Sequence, residues 1–209
     1  MKKKIGETSY KETAFGIIPR SKLIPLEIEG IKRAWDFVIE RFRKGKINIT
    51  PDFIQKLHKI GFQWIFPELG GRFRNIDVTV SKHTPPKSYL IPQLVFNFLE
   101  DLKTRLKHLP KIDDESFISK LVSLLAWSHH KFLWIHPFQD YNGRIGRLLN
   151  TVILLNLNLP PIELKVETTS GRKRYIKALQ GADNGNYKEL EIIIKSAFEE
   201  SIKEIENKK

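Results

Sequence analysis

Hydrophobic side chains along this 209-residue chain recur mainly with the period of a helix. Ile31, Ala34, Trp35, Val38 and Phe42 share one face of a segment near 26–43. Thr50-Pro51-Asp52 then reads as an N-cap, a proline at the first helical position and an acid in the first turn. The helix it opens carries Phe53, Ile54, Leu57 and Ile60. Further helices are expected at 92–107, 115–135, 142–157, 172–183 and 187–206. The one at 115–135 is apolar nearly all round, through Phe117, Leu121, Leu124, Leu125, Trp127 and Phe132, so it is expected to lie at the centre.

One stretch departs from the helical period. The helical signal stops at Pro67, Gly70-Gly71 turns the chain, and Asp77-Val78-Thr79-Val80-Ser81 alternates with period two. After Pro85-Pro86, Ser88-Tyr89-Leu90 returns as a candidate second strand. The pattern predicts an all-α fold, a helical bundle with one exposed β-hairpin at about 76–91. Residues 1–24, broken by Gly6, Gly16 and Pro19, read as an irregular extension, and 25–209 as one helical domain.

Composition narrows the function classes. The chain is 41% hydrophobic and 29% charged, which is ordinary for a globular domain. It has no cysteine, which removes disulfides, thiolate metal sites and cysteine nucleophiles. The longest uncharged stretch, Leu148 to Ile162, is too short to span a membrane and carries three asparagines and two prolines. The basic start has no apolar stretch behind it, so no secretory signal is read and a cytoplasmic location is expected. The net charge of +12 attracts anionic partners, yet the basic residues are dispersed and not interleaved with aromatics, which argues against a nucleic-acid platform.

The chemistry concentrates in His136-Pro137-Phe138-Gln139-Asp140-Tyr141-Asn142-Gly143-Arg144-Ile145-Gly146-Arg147. Pro137 stops the central helix, so His136 sits at its C-terminal end. Asn142 reads as the N-cap of the next helix, and Gly143 lets a ligand approach the backbone. The free N–H groups of that first turn form an anion site. Arg144 and Arg147 project from one face, and guanidinium forks match phosphate oxygens. Asp140 is a hard oxygen ligand suited to Mg²⁺ on phosphates, and His136 is a candidate general base. His129 and His130 lack the spacing and third ligand of a zinc site.

This segment resembles the signature of the Fic/Doc (Fido) family, H-P-F-x-[D/E]-G-N-G-R-x-x-R, at His136, Pro137, Phe138, Asp140, Asn142, Gly143, Arg144 and Arg147. Leu57-His58, Pro67 to Arg74 and Tyr175 to Asp183 extend the resemblance over roughly residues 50–195. It implies a Fic-type bundle and a protein adenylyltransferase, which moves AMP from ATP to a Tyr, Ser or Thr hydroxyl of a target protein. By that resemblance His136 is the base and Asp140 holds Mg²⁺. The backbone at Tyr141, Asn142 and Gly143 takes the α-phosphate, and Arg144 and Arg147 clamp the remaining phosphates. Tyr175 and Asp183 would lie near the nucleoside, and Val78, Thr79 and Val80 on the hairpin, the family's flap, would dock the target by strand addition.

Tyr141 stands where the pattern has glycine. A positive φ there would strain it; otherwise only the pocket wall changes. Another nucleotide or phosphate-linked donor therefore stays open, as does a catalytically silent basic protein that binds a partner or nucleic acid. Many relatives carry an inhibitory [S/T]-x-x-x-E-[G/N] helix whose glutamate pairs with the second motif arginine. Thr8/Glu12 and Ser196/Glu200 match it in part, both without the final Gly or Asn, and inhibition by a separate partner, as in toxin–antitoxin pairs of the family, stays open beside them.

Overall fold

The computed structural model describes residues 10–80, 83–166 and 168–207. Seven helices dominate it: α1 (Arg20–Arg43), α2 (Pro51–Phe62), α3 (Ile91–Lys107), α4 (Phe117–Ile135), α5 (Asn142–Asn156), α6 (Thr169–Asp183) and α7 (Lys188–Glu206). Each expected helix is present, and α4 touches α3, α5, α6 and α7, so the most apolar helix is the hub. Leu121, Leu125, Phe132 and Ile135 of α4 and Ile145, Leu149, Val152 and Ile153 of α5 are buried in one common core. Among the described residues no helix is long and apolar enough to cross a membrane.

α2 opens as its sequence dictates: the Thr50 hydroxyl accepts from the Phe53 N–H at 3.1 Å, with Pro51 at the first position. α1 begins earlier than its apolar period suggests, at Arg20, and carries Pro25 in its second turn. A proline that near the start removes one internal hydrogen bond without ending the helix. α1 and α2 cross backbone to backbone. A Cβ on Gly30 would lie 2.1 Å from the Gly61 carbonyl oxygen, so only glycine fits there.

The two-stranded hairpin lies at the N-terminal end of the described chain. β1 (Tyr10–Thr13) pairs antiparallel with β2 (Gly16–Pro19), Lys11 opposite Ile18 and Glu12 opposite Ile17. Gly16 turns with φ +83°, and the Ala14 N–H donates to the Ile65 carbonyl at 2.8 Å. Part of the stretch read as irregular is therefore ordered against the domain. Among its described residues the segment 76–91, expected as the hairpin, forms one isolated bridge, Val80 with His83, followed by a 3₁₀ turn at Ser88–Leu90. Pro85 and Pro86 offer no N–H for a ladder. The segment's polar groups are taken instead by Arg74 and by Asp77, which accepts from Lys87 and from the Ser88 N–H, each at 2.8 Å.

Candidate active site

The loop between α4 and α5 is bracketed by two residues in the left-handed region, His136 at φ 52° and Tyr141 at φ 62°. Its interior is pinned from both sides. The Asn142 side chain accepts from the Phe138 N–H at 2.9 Å and donates to the Phe138 carbonyl at 2.7 Å. Asn142 is thus the first helical residue and a loop clamp, while Tyr141 occupies the cap position expected for it. Phe138 is buried and stacks on His58, with ring centroids 3.9 Å apart. His58 accepts from the Gly71 N–H through Nδ1 and donates through Nε2 to the Asp140 carbonyl. That arrangement needs a neutral ring, and burial holds its pKa down to about 4.

Tyr141 resolves the strain question directly. Its backbone adopts the positive φ that favours glycine, at a cost of about 1–2 kcal/mol. The ring offsets this cost by stacking on Phe62 at 3.9 Å, and its hydroxyl donates to Glu27 at 2.8 Å. The Tyr141 N–H is occupied by its neighbour, donating to Asp140 Oδ1 at 2.8 Å. Of the expected phosphate donors, the N–H groups of Asn142 and Gly143 are the ones in the first helical turn with no upstream helical carbonyl.

His136 lines both cavities at this loop. Its carbonyl accepts from Arg74 Nε at 2.8 Å, which fixes the end of α4. Burial pushes its imidazole pKa down to about 4, with Arg74 and His83 adding to the depression, so the ring is neutral at pH 7. The larger cavity, about 490 Å³, is bordered by His136, Gly143, Arg144 and Arg147 together with Tyr175 and Asp183. That volume accommodates a nucleotide-sized molecule. Tyr175 meets His129 Nε2 at 2.5 Å, and Asp183 pairs with His130 at 2.9 Å, so both expected nucleoside-side residues stand in the cavity wall. Val80 also reaches this wall; Thr79 is exposed and Val78 half-buried.

The smaller cavity, about 280 Å³, adjoins the same helix start and is strongly charged: Lys11, Arg20, Arg144 and Arg147 face Glu27 and Asp140. Glu27 is fully buried. It accepts from Arg20 Nη1 at 2.6 Å, from Arg144 Nη2 at 2.7 Å and from the Tyr141 hydroxyl. Sequence reasoning missed it, although the signal was present. Glu27 interrupts the buried stripe Leu23, Gly30, Ala34 and Val38 with a carboxylate. An acid inside an apolar helical stripe has to find a cationic partner.

The segment that builds this cavity and the helical bundle around it are similar to known proteins. The Fic/DOC family model covers residues 48–154, just over half of the chain. The chain belongs to the Fic/DOC family. It is 30% identical over 175 residues, 84% of its length, to the protein adenylyltransferase Fic of Nematostella vectensis. It is 29% identical over 77% of its length to the Aedes aegypti protein of that name. The chain spans only 38% and 30% of those two relatives. In fold it resembles Fic-1 (residues 134–508) of C. elegans, with a TM-score of 0.66, 24% identity, and coverage of 88% of this chain and 52% of that one. BepC of Bartonella tribocorum has the same fold, with a TM-score of 0.66, 17% identity, and coverage of 92% and 93%.

Within this Fic fold, neither partial inhibitory match reaches a motif arginine. Thr8 lies outside the described residues, and Glu12 sits on the exposed face of β1. Glu200 pairs with Lys165 at 2.8 Å on the far helix. The carboxylate against a motif arginine is Glu27, and its partner is the first arginine, Arg144.

Proposed function

We propose that this Fic-family chain is a protein adenylyltransferase that uses Mg-ATP and modifies a hydroxyl side chain of a target protein. The observation that carries the reading is the convergence of a neutral His136, the first turn of α5 and the Arg144/Arg147 pair on one cavity. The activity named for the relatives supports it. A hydroxyl oxygen of the target attacks the α-phosphorus as its proton passes to the His136 imidazole. The bond from the α-phosphorus to the oxygen bridging to the β-phosphate breaks, and pyrophosphate leaves. The N–H groups of Asn142 and Gly143 stabilise the charge that builds on the α-phosphate. Arg144 and Arg147 orient the leaving phosphates. Tyr175 and Asp183 border the nucleoside, and Val80, with Val78 and Thr79 behind it, lies where an extended target segment would pass.

Asp140 fits a magnesium ion of the kind that takes most of its ligands from phosphate and water, because it is a single half-exposed carboxylate beside the phosphate turn. Such an ion, when bound, neutralises phosphate charge. No group of three or more metal-binding side chains occurs among the described residues, so a protein-only cage is not part of the proposal. The lack of cysteine fits work in a reducing compartment such as the cytoplasm. We assign the restraining carboxylate of the free site to Glu27, which phosphates must displace from Arg144.

The test is label transfer from ATP labelled on the α- or the γ-phosphate to protein in a bacterial lysate. Transfer of α-label that falls by about 10²–10⁴ in His136→Ala is expected for loss of a general base. Label from the γ-phosphate alone would replace this reading with phosphorylation.

A further inference from the structure

The N-terminal hairpin places one side chain in the active site. Lys11, on the inward face of β1, sets its ammonium against Asp140 Oδ2. The same nitrogen lies 5.6 Å from the Tyr141 ring centroid and 5.7 Å from that of Phe66, so two aromatic faces support the cation. The hairpin is fixed independently of this contact. The Ala14 N–H donates to the Ile65 carbonyl, and the Phe15 ring meets Trp64 edge-on at 5.9 Å. Lys11 therefore reaches Asp140 from an anchored ribbon.

Asp140 has two oxygens, and both are engaged. Oδ1 accepts from the Tyr141 N–H, and Oδ2 holds Lys11. A divalent ion held by this carboxylate would compete with the Lys11 ammonium for Oδ2, the oxygen that the Tyr141 N–H leaves free. Arg20, Arg144 and Arg147 line the same cavity, so a further dication entering beside Lys11 meets like charge on every side but those of Glu27 and Asp140. We propose that Lys11 is the resident cation of Asp140: it makes nucleotide-free protein a poor binder of divalent ions, and an ion enters by exchanging with the ammonium when phosphates arrive with it. The inference rests on the reading of Asp140 as the ion's ligand. It goes beyond that reading by naming the residue that sets which cation the carboxylate holds, and when.

The probe is Mn²⁺ alone, with the full chain and no nucleotide, the free ion being counted by electron paramagnetic resonance. Lys11→Met keeps the aliphatic stem and removes the charge. It is expected to bind Mn²⁺ about fivefold more tightly than the unaltered protein, the scale of releasing a half-exposed ion pair. Asp140→Asn is expected to abolish that gain in the double variant. Because Lys11 is half-exposed, circular dichroism should report an unchanged helical fold in both variants. Equal Mn²⁺ affinity with and without Lys11, while Asp140→Asn still weakens binding, overturns the exchange and leaves the Asp140 assignment standing. Binding indifferent to Asp140→Asn overturns both.

Discussion

Arg144 and Arg147 stand one helical turn apart on α5, yet their surroundings are opposite. Arg144 is already closed by a buried carboxylate, Glu27, delivered by α1. Arg147 lies beside Tyr175 and His129, two groups that burial keeps uncharged: it raises the phenol to about 12 and lowers the imidazole to about 3. A phosphate approaching the first arginine must exchange places with an anion. At the second it meets a cation whose closest ring contacts, Tyr175 and His129, are uncharged. The same spacing that puts two guanidinium groups on one face thus says nothing about which is available. The tertiary neighbours decide that.

The neutral side of this comparison is broken most strongly by acid. His129 and His58 are neutral in the fold, at about 3 and about 4, below the ordinary histidine value near 6.5 that the unfolded chain shows. Between those values the unfolded chain binds more protons than the folded one. Stability is therefore complete above about 6.5 and is lost as the pH falls toward 4. Each ring adds a slope of about 1 kcal/mol per pH unit. Urea titrations at pH 7 and pH 5 should show the midpoint fall at pH 5. An unchanged midpoint would mean these rings are not held neutral.

The charged side is broken next by moving the helix that carries Glu27. Gly30→Ala forces a methyl into the Gly61 carbonyl and should destabilise the fold by about 1–3 kcal/mol, measured by thermal unfolding. Gly61→Ala is the control, because its Cβ would meet nothing closer than 3.4 Å. The contrast between the arginines is sharpened, with the smallest effect, by Glu27→Gln. Removing that carboxylate should tighten ATP binding by about tenfold in calorimetry, the scale of one charge-assisted hydrogen bond. Affinity unchanged by the substitution would remove Glu27 as the restraint on Arg144.

The helices were legible because each buries a face with period 3.6, and the site loop because its residues are contiguous. The hairpin was harder. Tyr10-Lys11-Glu12-Thr13 and Gly16-Ile17-Ile18-Pro19 are too short to announce themselves, and they gain their order from docking at Ile65 and Trp64. The stretch with the clearer alternation, 77–81, meets Pro85 and Pro86 on its return, which carry no N–H, and among the described residues it forms one bridge, Val80 with His83. Asn142 looked like a cap because asparagine usually is one. Here the positive φ of Tyr141 turns the chain first, and the amide is released to clamp Phe138. Glu27 was legible as a buried acid that needs a cation, but not as a site residue, and Lys11 carried no signal at all. Their partners lie 129 and 117 positions away, and no local pattern encodes such a distance.

Arg74 has a mechanical meaning. Its single buried guanidinium donates to the carbonyls of Ile76 and Pro86, at the two feet of the segment beside the cavity, and to those of Ile135 and His136 at the end of α4. Four carbonyls from two separate parts of the chain thus share one rivet. A polypeptide laid along that segment would be held in register with the backbone of the histidine through one side chain.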